Sequence, residues 1–467
     1  MSQDESAMQQ RGPEGALMIP RLSPDMTRRT LLRSMGIGAG LLAAGPLLAA
    51  CGGGGAGGSA SGPTTVKSGA IENGAKLSLL RWSQFVDADR TFWLQHTDAF
   101  TKKTGVPVSI DWETWTDVQP KAATAAHVGS GPDIAIAFYD TAQQFASKLV
   151  DLTDVANDIS SKAGNWFDAP KKFATYNGKW IGIPLGANGA EWNYRKSWAE
   201  AAGFSEFPKD TNGLLEFATA MKKDGHPIGL ALGHAVGDAN TWTHWLLWAF
   251  GAKGIDNDGK VVLDSDQTVQ ALSYAKKLTD QMISGVASWD DSNNNKAYLA
   301  GQIGATSNGI SIYYAAKKSA PAVAADTMTA EFPVGPVGKP TQFHQISQFM
   351  VYSYTKYPNA AKEYIKFMMA PEQYKPWMEA SDGYVSPPVE DYTNDPFWTS
   401  APQFTPYRDA AKNMLWDGYS GPMGQHSAQA LADYVIVDMV SRAGTGQQSP
   451  KESATQAANQ LKQIYGG

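Results

Sequence analysis

Asp133-Ile134-Ala135-Ile136-Ala137-Phe138 is a short, continuous apolar run, and runs of this kind are buried in parallel β-sheets. Towards the N-terminus, residues 117–128 are rich in alanine and predict a helix, and residues 106–110 predict a strand. Before them, residues 92–100 carry apolar side chains at helical spacing, and residues 77–82 have a strand pattern. The order strand, helix, strand, helix, strand predicts an α/β lobe.

The same two patterns recur further along the chain. Residues 228–232 form another short apolar run, and residues 266–283 predict a helix that stops before Gly285. Ser449-Pro450-Lys451-Glu452 combines an N-cap serine, a proline at the first helical position and a glutamate at the third, which predicts a terminal helix. Asp256-Asn257-Asp258-Gly259 predicts a turn, because a calcium loop needs further ligands and a glutamate at its twelfth position.

The first 50 residues have the order of parts found in export signals. Arg28 and Arg29 precede an apolar run over residues 35–50, which resembles a twin-arginine signal, and Leu48-Ala49-Ala50-Cys51 resembles a bacterial lipobox. The run is shorter than the roughly 20 residues that span a bilayer. We therefore expect residues 1–50 to be a signal peptide and Cys51 to carry a lipid, followed by a Gly/Ser-rich tether to residue 75.

A buried thiol is the alternative for Cys51, since free cysteine is often buried. Cys51 is the only cysteine of the chain, so we expect no internal disulfide. Without residues 1–50 the chain has 34 basic and 41 acidic residues, a net charge of −7 that disfavours nucleic acid as a partner. The seven histidines show no metal spacing such as His-Glu-x-x-His, and we expect neither a metal nor a cofactor.

About 400 residues follow the tether, which is more than one hydrophobic core usually organises. Two lobes are therefore the expected arrangement. The chain is also rich in large aromatic residues, with 15 Trp and 18 Tyr. Such side chains hold flat, weakly polar ligands, although most of them are expected in the core.

Six segments resemble, in order, the family of extracellular solute-binding proteins that includes the maltose-binding proteins. They are residues 131–135 (GPDIA), 177–184 (NGKWIGIP), 193–196 (NYRK), 301–309 (GQIGATSNG), 358–368 (PNAAKEYIKFM) and 383–388 (GYVSPP). The family usually has Tyr-Asn-Lys where this chain has Tyr194-Arg195-Lys196, a departure at an expected surface position. The resemblance spans nearly the whole chain beyond the tether.

This resemblance implies an α/β, two-lobed periplasmic-binding-protein fold of type II, with a solute held between lobes that are joined by several hinge crossings. The expected first lobe is 76–187 with 310–369, and the expected second lobe is 188–309 with 370–467. The implied function is the binding component of an ABC importer: a monomer on the periplasmic or extracellular face of the cytoplasmic membrane that delivers its solute to a permease.

Candidate ligand contacts lie at the carboxyl ends of predicted strands, where open α/β sheets bind ligands, and at the crossovers that the resemblance implies. In chain order they are Trp82, Gln84, Asp87, Asp89, Tyr139, Asp140, Asn188, Glu191, Asp238, Asn240, Trp242, Asn308, Ser311, Gln345, Tyr384 and Trp416. Aromatic rings with carboxylates and amides suit a sugar, which offers C–H faces and a rim of hydroxyl groups. The expected solute is a mono- or disaccharide or a polyol, while phosphorylated glycerol compounds and peptides remain open.

Several of these positions have a second interpretation. Glu191 could instead be a solvated acid. Trp242 and Trp245 are three residues apart and share a helix face, so one of them could be core, and we predict Trp242 as the contact. The family often has a Trp shortly after the Asn-Gly turn, where this chain has Ile310 and Ser311, which removes one stacking platform for an oligosaccharide.

An enzyme is the competing class of function. A secreted glycoside hydrolase also needs paired acids beside aromatic residues, and Asp89 with Asp140, or Asp111 with Glu113, could be such a pair. The sequence has no glycosidase motif that we could identify around these acids. We therefore expect a binding protein rather than a hydrolase.

Overall fold

The computed structural model describes residues 62–466. Arg28, Arg29 and Cys51 lie outside these residues, so the export signal and the lipid anchor stay predictions. All described residues belong to one compact unit. Between residues 62 and 466, no helix combines the length and the apolar character that a membrane crossing requires.

The strands are β1 (Leu77–Trp82), β2 (Val108–Glu113), β3 (Ile134–Phe138), β4 (Thr175–Tyr176), β5 (Lys179–Trp180), β6 (Ile183–Asn188), β7 (Glu191–Arg195), β8 (Ala305–Asn308), β9 (Thr327–Ala330) and β10 (Gln345–Val351). The helices up to residue 326 are α1 (Asp87–Thr104), α2 (Val118–Val128), α3 (Thr141–Gln144), α4 (Thr153–Ala163), α5 (Asp168–Ala174), α6 (Lys196–Ala201), α7 (Thr211–Lys223), α8 (Asp238–Ala249), α9 (Asp266–Thr279), α10 (Asn293–Leu299), α11 (Ser311–Ser319) and α12 (Pro321–Asp326). The later helices are α13 (Pro358–Met368), α14 (Pro371–Ala380), α15 (Glu390–Thr393), α16 (Thr405–Arg408), α17 (Ala410–Asn413), α18 (Gln425–Ala432), α19 (Val435–Gly444) and α20 (Pro450–Tyr465).

The first lobe is built on a five-stranded sheet in the order β2-β1-β3-β10-β6. Strands β1, β2 and β3 are parallel, and β10 runs antiparallel to both β3 and β6. Every residue of β3 is buried, as its continuous apolar run predicts. The predicted α/β lobe is confirmed, with β2 beginning two residues later than expected.

The second lobe is built on a three-stranded antiparallel sheet in the order β8-β7-β9. Helices α8, α9, α19 and α20 pack against one another beside it. The strand predicted over residues 228–232 is wrong: only Ile228 pairs, through isolated bridges to Met282 and Ala305. The backbone of this segment bonds at separate points instead: the Gly229 N–H donates to the Ala305 carbonyl, and the Leu232 N–H donates to the Val286 carbonyl.

One strand and one helix lie in a different lobe from the one predicted for their residues. Strand β9 pairs with β7, so residues 327–330 lie in the second sheet and not in the first lobe. Helix α14 packs against α1 of the first lobe, where the second lobe was expected. The chain thus leaves the first sheet between β6 and β7, returns between β9 and β10, and leaves the first lobe again after α17, which packs on β6.

Capping residues mark the start of α20 and the end of α1. The Ser449 hydroxyl accepts the Glu452 N–H while the Glu452 carboxylate accepts the Ser449 N–H, so the predicted capping box is present at the start of α20. Gly105 ends α1 with φ 76°, a left-handed conformation in which its N–H reaches the Thr101 carbonyl. Helix α9 ends at Thr279, four residues before the predicted end. Residues 256–259 form a turn, in which the Asp256 carboxylate accepts two backbone N–H groups.

A buried ion pair stands inside the first lobe. The Arg81 guanidinium donates to both carboxylate oxygens of Asp89 at 2.8 and 2.9 Å, and the Trp377 Nε1–H donates to the same carboxylate at 2.8 Å. The guanidinium also lies 3.9 Å from the centre of the Trp93 ring. This pair joins β1 to α1 and α14, and Asp89 is therefore a packing residue of the first lobe rather than the predicted ligand contact.

We expect Asp89→Ala to lower the free energy of unfolding by about 3–5 kcal/mol, because it leaves the Arg81 charge buried without a partner. Asp98→Ala is the matched control on the same helix. Asp98 is largely exposed and pairs with Lys102, so its loss should cost at most about 1 kcal/mol. Urea unfolding of both variants measures the difference. Equal losses would contradict a structural role for Asp89.

Candidate functional site

Aromatic side chains cluster where the carboxyl ends of β1 and β3 face the second lobe. The rings of Trp82 and Trp115 are 4.0 Å apart, and Phe138 lies 4.7 Å from Trp115. Tyr384 approaches Trp82 from the other side, with the ring centres 6.0 Å apart. The Trp115 Nε1–H is buried without an acceptor. The cluster offers apolar faces and one unpaired donor at the edge of the first sheet.

Two buried amides lie next to this aromatic cluster. Gln345 and Asn188 are cross-strand partners at the ends of β10 and β6, and the Asn188 Nδ2 group contacts the Tyr384 carbonyl at 3.4 Å. The Asn188 Oδ1 and both polar atoms of the Gln345 side chain are buried without any hydrogen-bond partner. Leaving a buried polar group unpaired costs about 1–3 kcal/mol, so three such atoms in one place indicate groups that a ligand could satisfy.

The second lobe presents a carboxylate held by amides. Asp238, at the start of α8, accepts the Asn294 Nδ2–H at 2.7 Å and lies 3.4 Å from the Asn308 Nδ2. The Asn308 amide also contacts Asn295. Behind Asp238, the Asp291 carboxylate accepts the backbone N–H groups of residues 236, 237 and 238. These bonds fix the start of α8 against the rest of the lobe.

Both carboxyl groups of this cluster hold protons more tightly than usual. Burial raises the pKa of Asp238 well above its ordinary range, and the neighbouring Asp291 charge raises it further. Burial also raises the pKa of Asp291, to about 6, although its three backbone donors oppose the shift. Each group therefore favours its protonated form more than an exposed aspartate does, and this side of the cleft carries less negative charge than two exposed aspartates would.

The lobes touch across this region through two glycines. A Cβ atom on Gly237 would lie 3.3 Å from the Trp115 ring, and one on Gly309 would lie 3.3 Å from the Tyr384 ring. The Tyr139 hydroxyl donates to the Val236 carbonyl of the opposite lobe at 2.8 Å. The two lobes are thus closed on one another, with the aromatic cluster of the first lobe facing the amides and carboxylate of the second.

A cavity of about 340 Å³ adjoins this contact. Gln119, Thr141 and Gln144 of the first lobe line it, together with Asn240 and Leu431 of the second. Both lobes therefore continue to enclose space beyond the Tyr139 hydrogen bond.

The crossings between the lobes meet at a buried histidine. The Ala190 N–H donates to His344 Nδ1 at 3.2 Å, which places the ring hydrogen of the neutral imidazole on Nε2. His344 Nε2 lies 3.4 Å from Glu191 Oε1, and the Phe332 N–H donates to the other Glu191 oxygen at 3.2 Å. Burial raises the pKa of Glu191, and the His344 contact opposes the shift. Glu191 thus connects the β6–β7 crossing to the β9–β10 crossing.

Most of the candidate ligand contacts from the sequence lie where the lobes meet. Those at or beside the interface are Trp82, Tyr139, Asp140, Asn188, Asp238, Asn240, Asn308, Ser311, Gln345 and Tyr384. Gln84 is half-buried in the loop after β1, with its Oε1 atom unpaired. Trp416 is half-buried, donates to the Gly421 carbonyl and carries the Lys172 ammonium 3.4 Å from its ring centre.

Three further candidates have other roles. Trp242 is a core residue, fully buried with its Nε1–H donated to the Ala231 carbonyl of the same lobe at 2.6 Å. Glu191 is not a solvated acid, because it is fully buried at the hinge, where its carboxyl group faces His344. Asp87 is exposed at the rim, where it contacts the Tyr314 hydroxyl and Lys318 of the other lobe.

Sequence reasoning missed four residues of this region: Trp115, Asp291, Asn294 and Asn295. Trp115 lies two residues beyond the end of β2, and Trp82 is the last residue of β1, so the rule that selected the ends of the first and third strands also applied to the second. The others belong to the polar run Asp290-Asp291-Ser292-Asn293-Asn294-Asn295. Such a run is typical of an exposed loop, and only the fold brings it beside Asp238.

Comparisons with known proteins give one family. Residues 95–406 match the family described as bacterial extracellular solute-binding protein. YcjN of Escherichia coli, named as an ABC transporter periplasmic-binding protein, is 31% identical over 175 residues, which are 35% of this chain and 40% of that protein. A Deinococcus radiodurans protein named as an ABC transporter-binding protein is 23% identical over 60% of this chain and 68% of its own length.

Solved structures of similar fold cover 84% of this chain. Maltose-bound MalE3 of T. maritima has a TM-score of 0.72 at 20% identity and is covered completely, at 100%. A sugar transporter from Arthrobacter chlorophenolicus with bound laminaribiose has a TM-score of 0.72 at 17% identity, with 99% covered. An ABC transporter solute-binding protein from Agrobacterium radiobacter in complex with ribitol has a TM-score of 0.69 at 17% identity, with 99% covered.

The expected two-lobed fold is confirmed by these structures and by the two sheets described above. The family match covers well over half of the chain and agrees with the resemblance seen in its sequence. The chain belongs to the bacterial extracellular solute-binding protein family.

Proposed function

We propose that this protein is the solute-binding component of an ABC importer and that its solute is a small, hydroxyl-rich, uncharged molecule, a mono- or disaccharide or a polyol. The observation that carries the proposal is the set of unpaired buried amide atoms of Asn188 and Gln345 beside the Trp82–Trp115 rings. A solute hydroxyl can donate to an amide oxygen and accept from an amide N–H, so one class of group satisfies both.

The facing lobe completes the recognition of such a solute. A carboxylate such as Asp238 accepts hydrogen bonds from hydroxyl groups, and the Asn308 and Asn295 amides extend the polar side. The aromatic rings supply flat apolar surface for C–H faces. None of the residues named in this site is a lysine or arginine, so a phosphate would have no cationic partner there, which disfavours phosphorylated glycerol compounds.

Capture follows from closure, because a solute stabilises the closed form only through contacts that the open form lacks. Here the amides come from the first lobe and the carboxylate from the second, so both sets act together only when the lobes are closed. We assign residues 62–188 and 345–413 to the first lobe and residues 191–330 and 414–466 to the second. The segments between them are the hinge.

The N-terminal segment determines, in our proposal, where in the cell the protein acts. In our proposal, cleavage before Cys51 and lipidation of that residue anchor the protein to the outer face of the cytoplasmic membrane, after export directed by Arg28 and Arg29. Several acyl chains on one cysteine anchor a protein stably. The tether then keeps the lobes at high local concentration near a permease.

The two acid pairs considered for a hydrolase have other contacts in the structure. Asp89 is committed to the Arg81 ion pair, and Asp140 contacts Ser427 and Asp417. Asp111 and Glu113 lie on β2, and the Lys121 ammonium lies beside both carboxylates.

Gln345→Ala should weaken solute binding about tenfold or more, because the solute loses hydrogen bonds that only this amide supplies. Folding stability should be unchanged or slightly higher, since the side chain is unpaired without solute. Calorimetry and thermal shift against a panel of sugars and polyols measure both quantities. Gln463→Ala, on the exposed face of α20, is the control and should change neither. If no panel member binds the unaltered protein, the proposed solute class is wrong.

Trp115→Ala and Trp242→Ala should differ in their effects on solute affinity and on stability, because Trp115 is a cleft residue and Trp242 a core residue. We expect Trp115→Ala to reduce solute affinity with a small loss of stability, because the ring is half-buried at the lobe interface. Trp242→Ala should lower the free energy of unfolding by about 3–5 kcal/mol, as for a buried Trp. Denaturant unfolding and calorimetry on both variants give the comparison. A stable Trp242→Ala protein with lost binding would restore Trp242 as a ligand contact.

Cys51→Ser should move the protein from the membrane fraction to the soluble fraction, because the lipid has no other attachment residue. Purified Cys51→Ser protein should bind solute as the unaltered protein does. Fractionation of cells after detergent-free washing, with detection by antibody, measures the distribution. Ser59→Ala in the same tether is the control and should stay with the membrane. A Cys51→Ser protein that also stays there rules out the lipid anchor.

A further inference from the structure

Two buried carboxyl groups meet where the lobes touch. Asp140 follows β3 of the first lobe, and Asp417 precedes α18, which packs on α19 and α20 of the second lobe. Their carboxyl groups are within hydrogen-bonding distance of each other, and both side chains are at most 2% exposed. The Ser427 hydroxyl of α18 donates to Asp140 Oδ2 at 2.9 Å. The contact therefore joins the two lobes outside the aromatic and amide site.

The hydrogen bonds around this pair are incomplete if both groups are ionised. Both oxygens of Asp417 are inaccessible to water and have no hydrogen-bond partner. Two adjacent carboxylates also repel each other, most strongly in a buried site. A single proton shared between them supplies the missing donor and removes one of the two charges.

We propose that Asp140 and Asp417 form a proton-dependent clasp, in which one shared proton holds the lobes closed and its loss favours opening. In the open form the two groups separate and each is hydrated, so neither needs the proton. The clasp lies beside the interlobe hydrogen bond of Tyr139, the residue before Asp140. It rests on the proposed function only in that closure is the step that captures the solute.

The sign of the pH dependence follows from the same contacts. Burial and the facing carboxyl group raise the pKa of Asp140 well above its usual value, and burial raises that of Asp417. In the open form an aspartate returns to about 3.9. A group whose pKa is higher in the closed form favours closure at low pH, and this contribution disappears as pH rises through the closed-form value.

Other titratable groups lie near the pair, and their contributions to the pH dependence of closure must be distinguished from that of the pair. Tyr139, from the first lobe, and Tyr465, from α20, both have their pKa raised, chiefly by burial, and stay neutral in the physiological range. His244 on α8 lines a small cavity with Asp417, and burial lowers its pKa to about 4. Lys172 lies over the ring of Trp416, beside Asp417. Closure also buries Asp238 and Asp291, so variants of the pair itself are needed.

Single-molecule energy transfer between the lobes tests the clasp without any solute. In the full chain with Cys51→Ser, dyes are placed at Lys102→Cys on α1 and Lys209→Cys before α7, where both lysine side chains are at least 76% exposed. We expect the ratio of closed to open molecules to fall as pH rises from 5 to 8, by about tenfold for each pH unit over which the closed form keeps a proton that the open form has lost. The panel calorimetry described above remains a separate test of solute binding.

Asp417→Asn and Asp140→Asn provide the decisive comparison. An amide N–H replaces the shared proton at every pH, so each variant should stay closed at pH 8 and lose most of the pH response. Asp258→Asn, in an exposed turn of the second lobe, is the matched control and should keep the response of the parent protein. The clasp is refuted if both amide variants keep the full pH response, or if the parent protein shows none between pH 5 and pH 8. It is also refuted if added CaCl₂, rather than acid, closes the lobes, since a cation would then bridge the pair.

Discussion

A polar network buried at the hinge sets how the lobes of this protein can be arranged. His344 accepts the Ala190 N–H, and its other nitrogen faces Glu191, whose second oxygen accepts the Phe332 N–H. Because these groups are sealed from water, each needs its partner in any folded form, so the two crossings cannot move apart independently. Motion is left to the torsions around the crossings, and the two sheets behave as rigid bodies.

The division of the recognition groups follows from this arrangement. The first sheet ends in apolar rings and neutral amides, while the second lobe supplies a carboxylate held by asparagines. Neither half surrounds a solute alone. Affinity therefore depends on the free energy of closure as much as on the contacts, and the Asp140–Asp417 contact contributes to the same equilibrium from a place that the solute does not touch.

The sequence predicted what depends on local pattern. A strand pattern placed β1, a continuous apolar run placed β3, and the capping box placed the start of α20, because strand burial and helix capping are determined by neighbouring residues. The strand prediction for residues 228–232 was wrong because an apolar run indicates burial but does not indicate which groups the backbone bonds to. The prediction of Trp242 as a ligand contact was wrong for a related reason. Every residue of α8 is buried, so helical spacing could not distinguish a face towards the cleft from a face towards the core. Glu191 depends on His344, which is 153 positions away, and no local pattern joins them.

The glycines where the lobes meet have a consequence for how such a protein changes over time. At Gly237 and Gly309 an added methyl group would stand between the closing surfaces, close to the Trp115 and Tyr384 rings. A substitution there would act as a spacer that holds the lobes slightly apart, and at Gly237 the added atom would also lie 3.3 Å from Asp291 Oδ1. Affinity and solute specificity therefore depend on different positions. Affinity can change by small steps at the glycines without a change in specificity.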